Sequence, residues 1–194
     1  MLKVQFVGVL LRPTVDMQIK NLTFKKHLPE SKIQKRIEIL ANEINKDYAE
    51  RTPLFLPVLN GSFMFASDLI KRITIDCRIS FTKVSSYSGT ASSGQLKTLI
   101  GHEESVFNCD LLIIEDIIDT GLTLSRITEE LKGLGAKSVE TVSLLRKKPA
   151  RDKNVPVKYV GFELEEEFVV GYGLDYDGLG RNLKDLYVRD ITSS

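Results

Sequence analysis

Residues 111–124, LLIIEDIIDTGLTL, constrain the fold more than any other part of the chain. An unbroken apolar run ends in the carboxylates Glu115 and Asp116, and Asp119 then precedes a Thr-Gly-Leu-Thr turn. A run of this kind is typical of a strand buried on both faces. Helical spacing follows the turn, at Leu124, Ile127, Leu131 and Leu134. A strand that enters a turn and a helix predicts an anion site, because free N–H groups and the helix dipole favour negative charge there.

The rest of the chain predicts the layers around this strand. Residues 54–62 read as a second buried strand ending in a tight turn, although Pro57 removes one ladder donor. A helix over residues 33–48 would begin with a capping box formed by Ser31 and Gln34. Residues 75–82 alternate apolar and polar side chains, which indicates a half-buried strand. This alternation of strands and helices predicts an α/β fold, a mostly parallel twisted sheet flanked by helices.

The charge balance and the two cysteines limit which classes of binding partner the sequence predicts. The 27 basic and 26 acidic residues balance, so no field of one sign points to nucleic acid. No apolar run approaches the roughly 18 residues of a membrane helix. Cys77 and Cys109 lack metal-like spacing, which predicts reduced cysteines packed in the core of a cytoplasmic protein. We therefore expect small-molecule partners.

Three carboxylates beside an anion site need an explanation. A Walker-B strand also ends in acids, but the chain lacks the required G-x-x-x-x-G-K-[ST] loop. A purely structural role explains Asp119 as a helix cap, yet it leaves Glu115 and Asp116 at a strand end where open α/β sheets bind ligands. A ribose 5-phosphate explains all three. Its phosphate would take the N–H groups of residues 119–123, ionised carboxylates would accept hydrogen bonds from its diol, and their charge would favour a cationic ribose.

The same segment closely resembles the phosphoribosyl-diphosphate motif of type I phosphoribosyltransferases. Further segments resemble the hypoxanthine-guanine branch of that family, in the same order along the chain. PVLNGSFMFASDL resembles its loop with a cis peptide, and SSYSG resembles its mobile lid. LLRKKP and FELEEEFVVGYGLDYDGLGRNL resemble its purine-recognition and pyrophosphate segments. Several motifs in order are far more specific than one.

The resemblance implies roles in binding the phosphoribosyl donor. Glu115 and Asp116 would hold the ribose hydroxyls and, through them, a Mg²⁺ ion. Asp119 would act on N7 of a purine as general base. The rest of the donor site would comprise Leu59, Asn60, Gly61, Ile118, Thr120, Gly121, Leu122, Thr123 and Arg181. Asn60 and Leu122 stand where some members carry Lys, which weakens a side-chain role there but not a backbone one.

The resemblance also implies how a purine would be bound. Lys147 would donate to the 6-oxo group, Phe168 would stack on the ring, and the Val169 backbone would read its edge. Asp175, beside the purine, would help to bind a second Mg²⁺ on pyrophosphate, and Arg181 would clamp the pyrophosphate.

A lid over residues 85–97, including Ser86 and Tyr87, would close to exclude water from the cationic ribose.

Taken together, the resemblance implies a 6-oxopurine salvage enzyme that makes IMP or GMP and pyrophosphate. The chain would form a single domain, with a core over about residues 30–160 and a small hood from the N-terminal segment and about residues 162–194. The family implies a homodimer or homotetramer. Two alternatives stay open: an enzyme that prefers xanthine or a pyrimidine, and a non-catalytic sensor of phosphoribosyl diphosphate.

Overall fold

The computed structural model describes residues 16–83, 105–148 and 156–192. No helix within these ranges is long and apolar enough to span a bilayer. The three helices described are α1 (Glu30–Asp47), α2 (Phe63–Ile70) and α3 (Leu122–Gly133). The strands are β1 (Met17–Ile19), β2 (Leu22–Leu28), β3 (Leu54–Leu59), β4 (Arg78–Ile79), β5 (Thr82–Lys83), β6 (Asp110–Ile118), β7 (Ser138–Lys147), β8 (Tyr159–Leu164), β9 (Val169–Val170) and β10 (Leu186–Arg189).

The larger sheet has six strands, all paired in parallel, and confirms the predicted α/β class. Its order is β4-β3-β6-β7-β8, with β5 also on β3. Phe55 and Leu112 pack with α1 and α2 on one face, whereas Leu54 and Leu111 pack with α3 on the other. The apolar run that precedes Glu115 is fully buried, as expected for a strand covered on both faces.

A second sheet joins the two ends of the described chain. It is antiparallel, in the order β1-β2-β10-β9. Phe24 on β2 and Val170 on β9 are fully buried in its own small apolar cluster. The first and last strands of the described chain therefore belong to one sheet, and Val169 on β9 packs into the core that covers the larger sheet.

The predicted capping box at the start of α1 is wrong. The helix begins at Glu30 with Pro29 at the N-cap position and without a side-chain cap from its own first turn. The carboxylate of Asp185 accepts a hydrogen bond from the Glu30 amide at 2.7 Å instead. Gln34 turns away to donate to Asp68 and Tyr172. An acceptor 155 residues away in sequence has replaced the local one.

The predicted strand over residues 75–82 is only partly present. β4 and β5 keep one register against β3, and the ladder is interrupted opposite Pro57, which has no N–H to donate. The expected burial of the apolar residues is wrong, because Ile79 and Phe81 remain 42% and 46% exposed at the sheet edge. Thr82 is the buried residue of this segment.

The prediction of core cysteines is wrong for Cys77 and only partly met by Cys109. Cys77 is exposed beside the edge strand β4, and Cys109 is only partly buried before β6. The Cys109 sulfur accepts a hydrogen bond from the Arg78 guanidinium at 3.0 Å. Cys77 thus lies at the exposed edge of the sheet, whereas Cys109 packs against the apolar cluster on the α3 face.

Candidate active site

Glu115 and Asp116 lie near the carboxyl end of β6, in the middle of the larger sheet. Glu115 is buried, and this burial raises the pKa of its carboxyl well above the ordinary value, with the neighbouring charge of Asp116 adding to the effect. Burial also raises the pKa of Asp116, although backbone N–H groups, including that of Ile117 at 2.9 Å, partly offset it. Burial has removed water from both carboxyls, so hydroxyl groups of a ligand could donate the hydrogen bonds that water would otherwise supply.

The loop after β3 closes directly onto Asp116. The peptide bond between Leu59 and Asn60 is cis. A Cβ atom on Gly61 would lie 1.6 Å from the Asp116 Oδ2 atom, so only glycine fits there. On its other side, a Cβ atom on Gly173 would lie 2.0 Å from the Gly61 carbonyl oxygen. Gly61 therefore lies between the Asp116 carboxylate on one side and the backbone of Gly173 on the other.

The turn at residues 119–123 joins β6 to α3. Gly121 sits at the start of the helix with a φ of +74°, a conformation that glycine adopts without strain. No side chain caps this end of α3 among the described residues, apart from a weak 3.4 Å hydrogen bond from the Leu122 amide to the Thr120 hydroxyl. The first-turn N–H groups therefore face outward with the positive end of the helix dipole, as an anion site requires. Ile118 is buried beneath the turn.

Lys147 and Asp119 form an ion pair across the top of the sheet. The parallel register pairs Ile118 with Arg146, so the end of β7 lies beside the turn. The Lys147 Nζ atom lies 3.0 Å from the Asp119 Oδ2 atom. The lysine side chain is 19% exposed and the aspartate 65%. In the sequence, Lys147 and Asp119 belong to two separate motifs that resemble the family, and neither motif indicates that the two side chains are in contact.

Three aromatic side chains, Phe168, Tyr176 and Phe24, pack together beside the antiparallel sheet and form an aromatic wall. Phe168 is 44% exposed, so it is not a core residue, and Val169 next to it is buried in β9. The Phe168 ring meets Tyr176 edge-on at 5.8 Å and Phe24 at a tilt at 6.2 Å. Sequence reasoning missed both supporting rings. For Tyr176 the only local signal was its place in the stretch GLDYDG, and that signal alone is too weak to assign it a role.

Asp175 and Arg181 are held together in the turns that follow β9. The Arg181 Nη2 atom lies 2.6 Å from the Asp175 Oδ1 atom, and its Nη1 atom donates to the Gly173 carbonyl at 2.8 Å. The second oxygen of Asp175 accepts from the Gly178 amide at 2.8 Å. Asp175 thus has a partner at each oxygen, and the guanidinium is fixed beside the Gly61 loop.

The carboxylates fit a metal ion shared with a substrate rather than one caged by protein. No three His, Cys, Asp or Glu side chains within residues 16–83, 105–148 and 156–192 are grouped to hold a metal. Mg²⁺, however, usually keeps several waters and binds through one or two carboxylates together with substrate phosphates. Glu115 and Asp116, side by side next to an anion site, provide such a donor set. Ser86 and Tyr87, expected in a lid, lie outside the described residues.

Comparison with known proteins gives one family. The phosphoribosyl transferase domain matches residues 28–177. The hypoxanthine-guanine phosphoribosyltransferase of Bacillus subtilis is 44% identical over 157 residues, covering 80% of this chain and 87% of that protein. Its counterpart in Staphylococcus aureus (strain Mu50) is 46% identical over 157 residues, with 80% and 88% covered.

Solved structures agree with the sequence relatives. A crystal structure of a hypoxanthine phosphoribosyltransferase from Staphylococcus aureus superposes with a TM-score of 0.79 at 43% identity, covering 86% of this chain and 91% of that one. A mutant of the enzyme from Trypanosoma cruzi, complexed with the product IMP, superposes with a TM-score of 0.80 at 33% identity, with 91% and 94% covered. The fold is therefore shared with these structures over 86% and 91% of this chain.

Proposed function

Since this chain belongs to the phosphoribosyl transferase domain family, we propose that it transfers the phosphoribosyl group of 5-phosphoribosyl 1-diphosphate to hypoxanthine and guanine. The products are IMP or GMP and pyrophosphate. Curated relatives with this name at 44% and 46% identity support the assignment. One observation carries it. Lys147 contacts Asp119 at the carboxyl ends of the parallel strands, beside the uncapped start of α3 and the buried carboxyls of Glu115 and Asp116.

The donor binds at the carboxyl ends of β3 and β6 in this proposal. Its 5′-phosphate accepts hydrogen bonds from the N–H groups of residues 119–123, helped by the hydroxyls of Thr120 and Thr123. Glu115 and Asp116 accept from the ribose hydroxyls, and the hydrogen bonds favour their ionised forms. Their negative charge stabilises the anomeric carbon as it becomes cationic. Gly61, with its neighbours in the cis-peptide loop, and Arg181 contact the pyrophosphate.

The purine binds between the ion pair and the aromatic wall. Lys147 leaves Asp119 to donate to the 6-oxo group, and Phe168 stacks on the ring while the Val169 backbone reads its edge. N9 of the base attacks C1 of the ribose, the bond from C1 to the diphosphate oxygen breaks, and the N7 proton passes to Asp119. Asp119 is therefore the catalytic residue, and it needs to accept only one proton in each turnover.

Mg²⁺ is the metal proposed for the site: one ion would be held by Glu115 and Asp116 through the ribose hydroxyls, and Asp175 would help to hold a second on the pyrophosphate. When bound, it neutralises the charge on the leaving pyrophosphate. The antiparallel sheet is proposed as the hood over the base, and residues 85–97, with Ser86 and Tyr87, as the lid. A homodimer or homotetramer in the cytoplasm completes the proposal.

Pyrophosphate release with each of several free bases tests this function. Hypoxanthine and guanine should support turnover, whereas adenine, xanthine and uracil should not. Turnover with xanthine or uracil instead would point to a different base preference. Binding of the donor without turnover of any base would indicate a sensor and overturn the enzymatic assignment.

Asp119→Asn isolates the proposed chemical step. It should lower kcat by about 10²–10⁴-fold while the donor still binds, because the phosphate site is largely backbone. Asp76→Asn, an exposed aspartate on the far edge of the sheet, is the matched control and should leave kcat unchanged. Equal turnover by Asp119→Asn and wild type would remove Asp119 from catalysis.

A further inference from the structure

A buried tyrosine, Tyr172, connects the segment after β9 to α1 and α2. Tyr172 follows β9 and is 1% exposed. Its hydroxyl donates to the Asp68 Oδ2 atom on α2 at 2.5 Å. The Gln34 side chain donates to the same oxygen at 2.6 Å and to the Tyr172 hydroxyl at 3.1 Å. These three side chains, from three different elements, are called the latch below.

Further hydrogen bonds fix the carboxylate of the latch. Lys71 reaches the other oxygen of Asp68 at 2.6 Å. Arg72 donates to the Gln34 side-chain oxygen at 2.8 Å and to the Asp68 carbonyl at 2.7 Å. Burial raises the pKa of Tyr172, and its hydrogen bond to Asp68 raises it further, so the hydroxyl stays a donor over the physiological range. Tyr172 is buried and the groups around it are partly buried, so this hydrogen-bonded network favours one arrangement of the elements that it joins.

The backbone around Tyr172 explains why an anchor is needed there. Gly171, Tyr172 and Gly173 have φ angles of +100°, +49° and +101°. A non-glycine residue rarely adopts a positive φ and keeps it only when its surroundings impose it. The buried ring and the latch impose it here. This turn holds Gly173 against the Gly61 carbonyl, and the Gly173 carbonyl accepts a hydrogen bond from Arg181.

Two substrates would bind on opposite sides of this contact. The proposed purine seat, Phe168 and Val169, leads directly into the Tyr172 turn. The proposed pyrophosphate loop, which ends at Gly61, leads directly into α2, on which Asp68 lies. Resting on the function proposed above, we propose that the latch sets the distance between the purine seat and the donor loop. Tyr172 and Asp68 are then positioning residues that act through Gly173 and Gly61.

This role makes a specific kinetic prediction for Tyr172→Phe. Each substrate keeps all its own contacts, so KM for each should change by less than about threefold. The reacting atoms lose their alignment, and an error near 1 Å can cost about 10²-fold, so kcat should fall by about 10–100-fold. The latch also predicts rescue: Asp68→Asn keeps an acceptor oxygen and should retain much more kcat than Asp68→Ala.

Tyr159→Phe is a matched control. Tyr159 is 3% exposed and its hydroxyl donates to the Asp47 carboxylate at 2.8 Å. It lies at the amino end of the edge strand β8, whereas the site lies at the carboxyl ends of the parallel strands. Both variants remove one buried hydroxyl bonded to a carboxylate, so both should lower the unfolding midpoint similarly. Only Tyr172→Phe should lower kcat, and equal kcat in the two variants would overturn the latch.

Amide hydrogen exchange tests the latch without relying on activity. The Tyr172 amide donates to the Leu183 carbonyl at 2.8 Å and the Gly173 amide to the Arg181 carbonyl at 3.0 Å. Both should exchange at least about tenfold faster in Tyr172→Phe than in wild type or Tyr159→Phe. Unchanged exchange would overturn the latch even if kcat fell. Should wild type use no base at all, the proposed function fails, and exchange alone decides whether Tyr172 fixes this turn.

Discussion

Gly61 controls how closely the donor loop can approach Asp116. Its α-carbon lies where any side chain would overlap the Asp116 carboxylate, and its carbonyl fills the space beside Gly173. Glycine serves here for its lack of a Cβ atom, since its φ is not in the left-handed region. At Lys147 a single contact sets the side chain's position, because its Nζ atom lies 3.0 Å from the Asp119 carboxylate.

Gly61→Ala should weaken binding of phosphoribosyl diphosphate severely. The added methyl must displace either Asp116 or the loop, and both belong to the proposed donor site. We expect a loss of at least about 100-fold in kcat/KM for the donor, as for a misplacement near 1 Å. Gly133→Ala is the control, because a Cβ atom there meets nothing within 4 Å. It should leave kinetics intact and be neutral or slightly stabilising in α3. Normal donor kinetics in Gly61→Ala would contradict the assigned role of this contact.

Lys147→Met should narrow the preference for hypoxanthine over adenine. A protonated lysine has donors only, so it suits a 6-oxo group and repels the 6-amino group of adenine. Sites built around such a hydrogen bond reject the wrong partner by about 10⁴–10⁵-fold. The variant should lose kcat/KM for hypoxanthine sharply and gain little for adenine.

Lys148→Met supplies the comparison for that variant. Lys148 is half-exposed and pairs only loosely with Glu163 and Glu165 at the surface. It should keep the full preference. Unchanged selectivity in Lys147→Met would show that another group reads position 6.

At the scale of elements, α1 shows how a helix end can be completed from elsewhere in the chain. Its first amide is satisfied by Asp185, just before β10, and Asp185 also pairs with Lys26 on β2. Burial tends to raise the pKa of Asp185, but the hydrogen bonds from Lys26 and the Glu30 amide outweigh it and lower that pKa. One carboxylate therefore ties the antiparallel sheet to the larger domain core.

Asp185→Ala should destabilise the protein by about 1 kcal/mol, the usual cost of losing a helix N-cap. Ser31→Ala is the control, since Ser31 is exposed and caps nothing in the structure, and it should change stability by less than about 0.5 kcal/mol. Chemical denaturation at neutral pH measures both. A larger loss of stability in Ser31→Ala than in Asp185→Ala would indicate that Ser31 caps the helix and would contradict the cap by Asp185.

At the scale of the whole molecule, buried tyrosines make stability depend on alkaline pH. Burial raises the pKa of Tyr48 from 10.0 to about 12. Burial and hydrogen bonds to Asp47 and Asp68 raise the pKa of Tyr159 and Tyr172 as well. Above pH 10 the unfolded chain releases these protons while the folded chain retains them. The unfolded state then binds fewer protons, so the free energy of unfolding falls as pH rises.

The free energy of unfolding should therefore fall between pH 10 and 12 by up to about 1.4 kcal/mol per pH unit for each such tyrosine. Urea denaturation at pH 8, 10, 11 and 12 measures the slope, with little contribution from these groups expected below pH 9. Tyr48→Phe should make the slope shallower and cost little at neutral pH, because the Tyr48 hydroxyl has no hydrogen-bond partner within the described residues. A slope unaffected by that variant would contradict the burial of Tyr48.

The sequence by itself determined the α/β class, the central buried strand and the glycine turn that starts α3. These features follow from local rules: an unbroken apolar run needs cover on both faces, and a turn that starts a helix exposes N–H groups. The resemblance then nominated Asp119, Lys147 and Phe168, because motifs keep their chemistry within a few residues.

Only the tertiary structure decided which distant residues complete those local features. Asp185 caps α1 across 155 residues, Tyr172 reaches Asp68 across 104, and Lys147 meets Asp119 across 28. It also left Ile79 and Phe81 exposed, since an alternating pattern gives the face of a strand but not whether that strand lies at an edge. Long-range hydrogen bonds and the burial of a strand face depend on which chain segments meet in space. Packing of the whole core decides which segments meet, and no single stretch of sequence does.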